Sequence, residues 1–202
     1  MKIYEASMTP SAQRVSLFLA EMNLDIERVQ VDVRGGENLS DAFLALSPNG
    51  RIPVLELDDG TTLCESIAIC RYFDALHPGD HSLFGTTPLE KGQVEMWTRI
   101  VEHQGLVPAF QAFRNLSGVY ADRERCVEAW GEESRKRLDE FLPKLEQRLG
   151  ESTYLAGERF TVADITAWAL FAFMERVKFA LAQPYPNIDR WRSLVAARPA
   201  FS

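Results

Sequence analysis

Apolar and polar positions change rhythm repeatedly over residues 1–77, then settle into a helical rhythm from residue 88 onward. Lys2 to Ala6 predicts a short strand. Val15, Phe18, Leu19 and Met22 fall at i, i+3, i+4 and i+7, one apolar face of a helix from about Ser11 to Met22. Ile26 to Val33 alternates as a half-buried strand does. Gly35-Gly36 marks a loop, and Leu39 to Leu46 a short helix stopped by Pro48-Asn49-Gly50. Pro53 to Leu57 and Thr61 to Cys64 flank Asp59-Gly60, a strong hairpin signal. Ile69, Tyr72, Phe73 and Leu76 give a further amphipathic helix. The predicted order is βαβα, then ββα.

The stretch HPGDHSLFGTT is rich in Gly, Pro and small polar residues, as linkers are. It separates an α/β domain over 1–77 from an all-α domain over 88–202, with 78–87 as the linker. Beyond Pro88 no strand pattern stands out. Leu89 to about Arg114 predicts a helix kinked by Pro108 and broken at Asn115 to Gly118. Val127, Trp130, Leu138, Phe141, Leu145 and Leu149 place a long helix over Arg123 to Leu149, with Gly150 at its C-cap. Thr161-Val162-Ala163-Asp164 reads as a capping box before a helix apolar nearly all round, so that helix belongs in a core.

The segment from Gly50 to Ser66, GRIPVLELDDGTTLCES, carries the candidate chemistry. Proline cannot donate to a sheet ladder, so Pro53 at a strand start is unusual. A cis bond at Ile52-Pro53 would turn the Ile52 N–H and C=O toward a peptide-like ligand. Ser66 begins a helix whose free N–H groups attract a carboxylate. Glu65 beside it can receive an ammonium. One segment thus offers a backbone edge, an anion site and a cation site.

Composition narrows the class. The chain has 202 residues, 46% hydrophobic and 25% charged, enough for a core without staples. A net charge of −7 argues against nucleic acid as the main partner. The start MKIYEASMTP has no apolar leader and no run reaches the roughly 18 apolar residues of a membrane span, so a cytoplasmic protein with no membrane partner is expected. Cys64, Cys70 and Cys126 form neither a CxxC nor a metal cluster. Disulfides and metal are therefore not expected, and Cys64 and Cys70 read as packing residues.

These pieces together resemble the cytosolic glutathione S-transferase family across essentially the whole chain. IPVLELDDGTTLCESIAICRYF looks like its glutathione-site segment, TPLEKGQVEMW like the start of its helical domain, and GERFTVADI like its buried capping box. The chain is most similar to a bacterial and fungal branch related to the theta and phi types. The resemblance implies a thioredoxin-like N-terminal domain, an all-α C-terminal domain and a homodimer. It implies that glutathione is the co-substrate, with a small, mostly apolar electrophile as acceptor. Ile52 stands before the family's cis-proline, Pro53, and its backbone would pair with the cysteinyl unit. Glu65 and Ser66 match the pair that holds the γ-glutamyl end, and Arg51 a position that assists there. Asn38 lies where some members contact the glycyl carboxylate.

The reaction needs a thiolate. A thiol of pKa near 8.5 is about 3% ionised at pH 7, and lowering it by about two units requires roughly 2.7 kcal/mol. One hydroxyl hydrogen bond and a helix N-terminus can supply that between them. In theta- and phi-like relatives a serine five residues before an arginine donates. Here the arginine is Arg14 and the residue five earlier is Thr9, with Ser11 the alternative and Ser7 a third. Arg114, Asn115 and Ser117 are candidates should the helical domain supply the polar groups, and Phe110, Phe113 and Tyr120 for the acceptor side. Two other functions compete: a non-catalytic interaction module of the same fold, and a disulfide reductase, which lacks the cysteine pair.

Overall fold

The computed structural model describes Met1 to Phe201. The chain divides into two compact units, Met1–Ser82 and Leu83–Ser202.

In the first unit, β1 (Lys2–Glu5) lies between β2 (Glu27–Gln30) and β3 (Val54–Glu56), and β4 (Thr62–Cys64) closes the order β2-β1-β3-β4. β1 and β2 are parallel, with Ile3 opposite Arg28. β3 runs antiparallel to β1, with Ile3 opposite Leu55, and β4 antiparallel to β3. A parallel pair needs a crossover, and α1 (Pro10–Glu21) supplies it. The two-residue pleat sends alternate side chains to opposite faces. Tyr4, Val54 and Cys64 gather with Phe43 of α2 (Asp41–Leu44), Val31 and Ile52 on one face. Ile3 and Leu55 point the other way, and both are fully buried. α1 and α3 (Ser66–Leu76) pack together and bury Val15, Phe18, Ile69, Cys70 and Phe73.

Several predicted boundaries move: β1 ends at Glu5 rather than Ala6, and the hairpin strands shorten to Val54–Glu56 and Thr62–Cys64. α1 starts at Pro10 rather than Ser11, because proline at the first helical position has no N–H to leave unpaired. β2 pairs over four residues instead of eight, since β1 offers only four. The short helix predicted over Leu39 to Leu46 opens as a 3-10 turn at Glu37–Leu39. It becomes α-helical only after Ser40, whose hydroxyl accepts the Phe43 N–H at 3.3 Å.

The second unit is helical. α4 (Pro88–Val101) passes into one turn of π-helix, Glu102–Leu106, and then α5 (Val107–Ser117). The irregularity predicted at Pro108 is therefore this wide turn just before it. A proline ring collides with the carbonyl four residues back, and a π-turn opens room for it. Asn115 stays helical, and the helix ends at Gly118, whose φ of 63° suits glycine. α6 (Glu128–Glu151) starts later than predicted and runs through Gly150, so that glycine is no cap. Arg190 of α8 (Pro186–Ala196) caps α6 instead, donating to the carbonyls of Leu149 at 2.6 Å and Ser152 at 3.1 Å. In return Glu146 of α6 accepts the Asn187 and Ile188 N–H groups at the start of α8, each at 2.9 Å. A cation at a C-terminus and a carboxylate at an N-terminus both satisfy the orphan groups and the dipole.

The capping box forms at the head of α7 (Val162–Arg176). Fully buried Asp164 accepts from Thr161 N at 3.0 Å and Thr161 Oγ1 at 3.1 Å with one oxygen. Its other oxygen takes Leu155 N at 3.0 Å and Trp191 Nε1 at 2.9 Å. Burial pushes its carboxyl up to about 6 against these four donors, which favour the anion.

Candidate functional site

Two features of the first unit converge on the predicted segment. The Ile52-Pro53 bond is cis. The Ile52 N–H and C=O meet no hydrogen-bond partner among the described residues, while its side chain packs beside Phe43 and Val54. Beyond the β3–β4 hairpin, Glu65 stands at φ 68°, ψ 117°, in a region that non-glycine residues rarely enter. Such backbone persists only where its surroundings hold it, and it concentrates at ligand sites. Ser66 follows as the first residue of α3. It is 2% exposed, and its hydroxyl has no partner among the described residues. The first N–H groups of α3 also lack intrahelical acceptors. The Glu65 side chain is exposed, and its carboxylate accepts Asn49 Nδ2 at 3.2 Å.

The loop before Ile52 is tightly specified. Buried Ser47 accepts the Arg51 N–H at 3.1 Å, and its one proton serves the Arg51 carbonyl at 2.8 Å or Asn49 Oδ1 at 2.9 Å. Gly50 turns the chain at φ 60°, and a β-carbon there would stand 3.2 Å from the Asn38 carbonyl. Asn38 donates to the Gly50 carbonyl at 2.7 Å, which commits one of its two amide N–H groups to the loop. Ser47 went unremarked in the sequence and Asn49 figured there only as part of a helix stop, although Ser-Pro-Asn-Gly is a turn signature whose side chains bond nearby backbone.

At the end of β1, Thr9 is the N-cap of α1. Its N–H and its hydroxyl both donate to the Ala6 carbonyl at 2.8 Å. Ser11, two residues on, keeps a hydroxyl with no partner among the described residues. Ser7 is exposed and its N–H donates to Gln30 Oε1 at 3.2 Å. Arg14 is buried to 5% exposure on α1. Its charge opposes the burial that pushes the Cys70 thiol up to about 12, and Cys70 is a packing residue as expected.

The candidates of the second unit are engaged within it. Arg114 pairs with Glu124 and lies over the Tyr120 ring at 4.9 Å. Asn115 donates to the Gln111 carbonyl at 2.8 Å and accepts the Val127 N–H at 2.8 Å. Ser117 Oγ accepts the Val119 N–H at 3.2 Å. Phe110 and Phe113 meet Phe173 edge-on at 5.0 and 5.6 Å, which places both in the packing of α5 against α7.

A four-stranded mixed sheet with helices, followed by a helical unit holding a buried capping box, defines the thioredoxin-like plus all-α class. Residues 9–76 match the model of the glutathione S-transferase N-terminal domain, and residues 103–199 that of the C-terminal domain. The chain is 54% identical to a class Gtt2 glutathione S-transferase of Vibrio parahaemolyticus, whose crystal structure it matches at a TM-score of 0.88, covering 100% of this chain and 96% of that one. It matches the crystal structure of Gtt2 from Saccharomyces cerevisiae at a TM-score of 0.94 with 34% identity, covering 100% and 98%. Glutathione S-transferase 2 of that yeast is 33% identical over 99% of this chain and 87% of its own length. The chain belongs to the glutathione S-transferase family, a family of transferases. Among the described residues no helix is long and apolar enough to cross a membrane.

Proposed function

We propose that residues 1–77 bind glutathione and that the protein transfers its thiolate to small, mostly apolar electrophiles as a cytoplasmic, detoxifying homodimer. The observation that carries this reading is a set of unused groups on one segment. Among the described residues the Ile52 main chain and the Ser66 hydroxyl have no hydrogen-bond partner, and Glu65 stands between them in the sequence in a strained conformation. A peptide unit lies along Ile52, as a strand added to an edge would. The γ-glutamyl carboxylate takes the Ser66 hydroxyl and the first N–H groups of α3, and the γ-glutamyl ammonium takes Glu65. Arg51, exposed beside them, adds a cation for the ligand's carboxylates. Asn38 contributes by holding the loop through Gly50.

The thiolate needs a donor at the head of α1. Ser11 donates without breaking any bond. Thr9 must first release Ala6, exchanging a neutral hydrogen bond for a charge-assisted one, which is the stronger of the two. The thiol proton leaves to solvent, the sulfur lone pair forms the S–C bond, and the electrophile's leaving group departs with its bonding pair. The protein supplies thiolate stabilisation and proximity, and no group of its own becomes covalently attached.

Calorimetry with glutathione and the rate of conjugation to a chlorodinitrobenzene test the reading. Saturable binding in the range of cellular glutathione, with turnover of the aryl chloride, is expected. No heat and no saturation would leave only the architecture, and the interaction-module reading would replace the enzyme.

A further inference from the structure

The two halves of the proposed site sit on different loops, and one side chain joins them. Asn49 Oδ1 accepts the Arg51 N–H at 3.2 Å, next to Ile52, while Asn49 Nδ2 donates to Glu65 Oε1 at 3.2 Å. An amide serves both ends at once: its oxygen shares the Arg51 N–H with Ser47 Oγ, and its nitrogen donates to the Glu65 carboxylate. Aspartate offers only the acceptor. The anchor of the arrangement is rigid: Ser47 is fully buried and bonded to both ends of Arg51, and Gly50 has no room for a β-carbon without displacing the Asn38 carbonyl. Glu65 itself is exposed, and its side chain makes no capping bond to α3. Without Asn49 its carboxylate is free to move among rotamers.

We propose that Asn49 is a positioning residue that aims the Glu65 carboxylate at the γ-glutamyl ammonium and sets its spacing from the Ile52 main chain. This rests on the glutathione reading above. Asn49 touches neither the sulfur nor the electrophile in this role. Its loss therefore weakens glutathione binding and raises KM, while kcat at saturating glutathione holds.

The test compares glutathione with N-acetylglutathione, which has no ammonium, by calorimetry on the full chain. For Asn49→Ala the expected result is a Kd for glutathione raised about twofold to twelvefold, the range for one net hydrogen bond, with the Kd for the acetylated peptide unchanged. Asn49→Asp keeps the acceptor for Arg51, so it guards against a collapsed loop. It removes the donor to Glu65 and is expected to lose at least as much affinity for glutathione and none for the acetylated peptide. Equal weakening of both peptides means that Asn49 only holds the loop, and overturns the proposal. Unaltered affinity for both, with the parent protein binding glutathione normally, overturns it as well. Failure of the parent protein to bind glutathione overturns the glutathione reading and this inference with it.

Discussion

Replacing Ser66 by alanine isolates one contact of the proposed site. The hydroxyl sits on a residue 2% exposed and has no partner among the described residues, so its removal strands no protein group. Serine and alanine also differ little in helix propensity, by a few tenths of a kcal/mol. The fold is thus expected to keep its Tm within about 2 °C. The bound carboxylate loses one charge-assisted hydrogen bond, worth about 1.5–3 kcal/mol. The N–H groups of the 11-residue α3 and their dipole remain, which favours the low end of that range. A loss of about 1.5 kcal/mol raises the Kd of glutathione about twelvefold. Titration calorimetry beside a thermal melt reads both numbers. An unchanged Kd would remove Ser66 from the site, and a collapsed Tm would mean that the hydroxyl holds the fold.

Further predictions address the thiolate, the capping box and the wide turn. Ser11→Ala is expected to raise the bound thiol's pKa by about one unit, read as thiolate absorbance against pH, and Thr9→Ala by less. The reverse order would make Thr9 the donor. Asp164 has its carboxyl raised from 3.8 to about 6 by burial. The folded state then holds the proton more tightly than the unfolded one. Its contribution is full below about pH 4 and falls by about 3 kcal/mol as the pH rises through 6. Chemical denaturation from pH 4 to 7 should show that decline relative to Asp164→Asn, and parallel curves would refute the buried charge. Gly105 lies in the π-turn, where a β-carbon would come within 2.6 Å of Leu170 Cδ2 and 3.0 Å of Phe141 Cε1. Gly105→Ala is expected to cost about 1–3 kcal/mol in urea unfolding, as overpacked cores do. A neutral result would mean that α7 shifts freely there.

The chain's own pattern determined the strand and helix order of the first unit and the capping box at Thr161 to Asp164, and it singled out Gly50 to Ser66 as the segment rich in candidate chemistry. These are local matters: apolar spacing, proline and glycine positions, and side chains that bond backbone within four residues. Which face Phe43 and Tyr4 share, and that Arg190 rather than Gly150 finishes α6, depends on partners distant in the chain, 38 residues apart for Arg190 and Ser152 and 41 for Arg190 and Leu149. No window of sequence contains both. The same holds for the site. Glu65 and Ser66 were legible as adjacent residues at a helix start. The link from Asn49 to Glu65 spans 16 residues, and only the folding of the hairpin decided it. The engagement of Thr9 with Ala6 is local, yet it turned on backbone angles that composition leaves open. Local chemistry names the groups able to grip a ligand, and tertiary packing decides which of them the protein has already used.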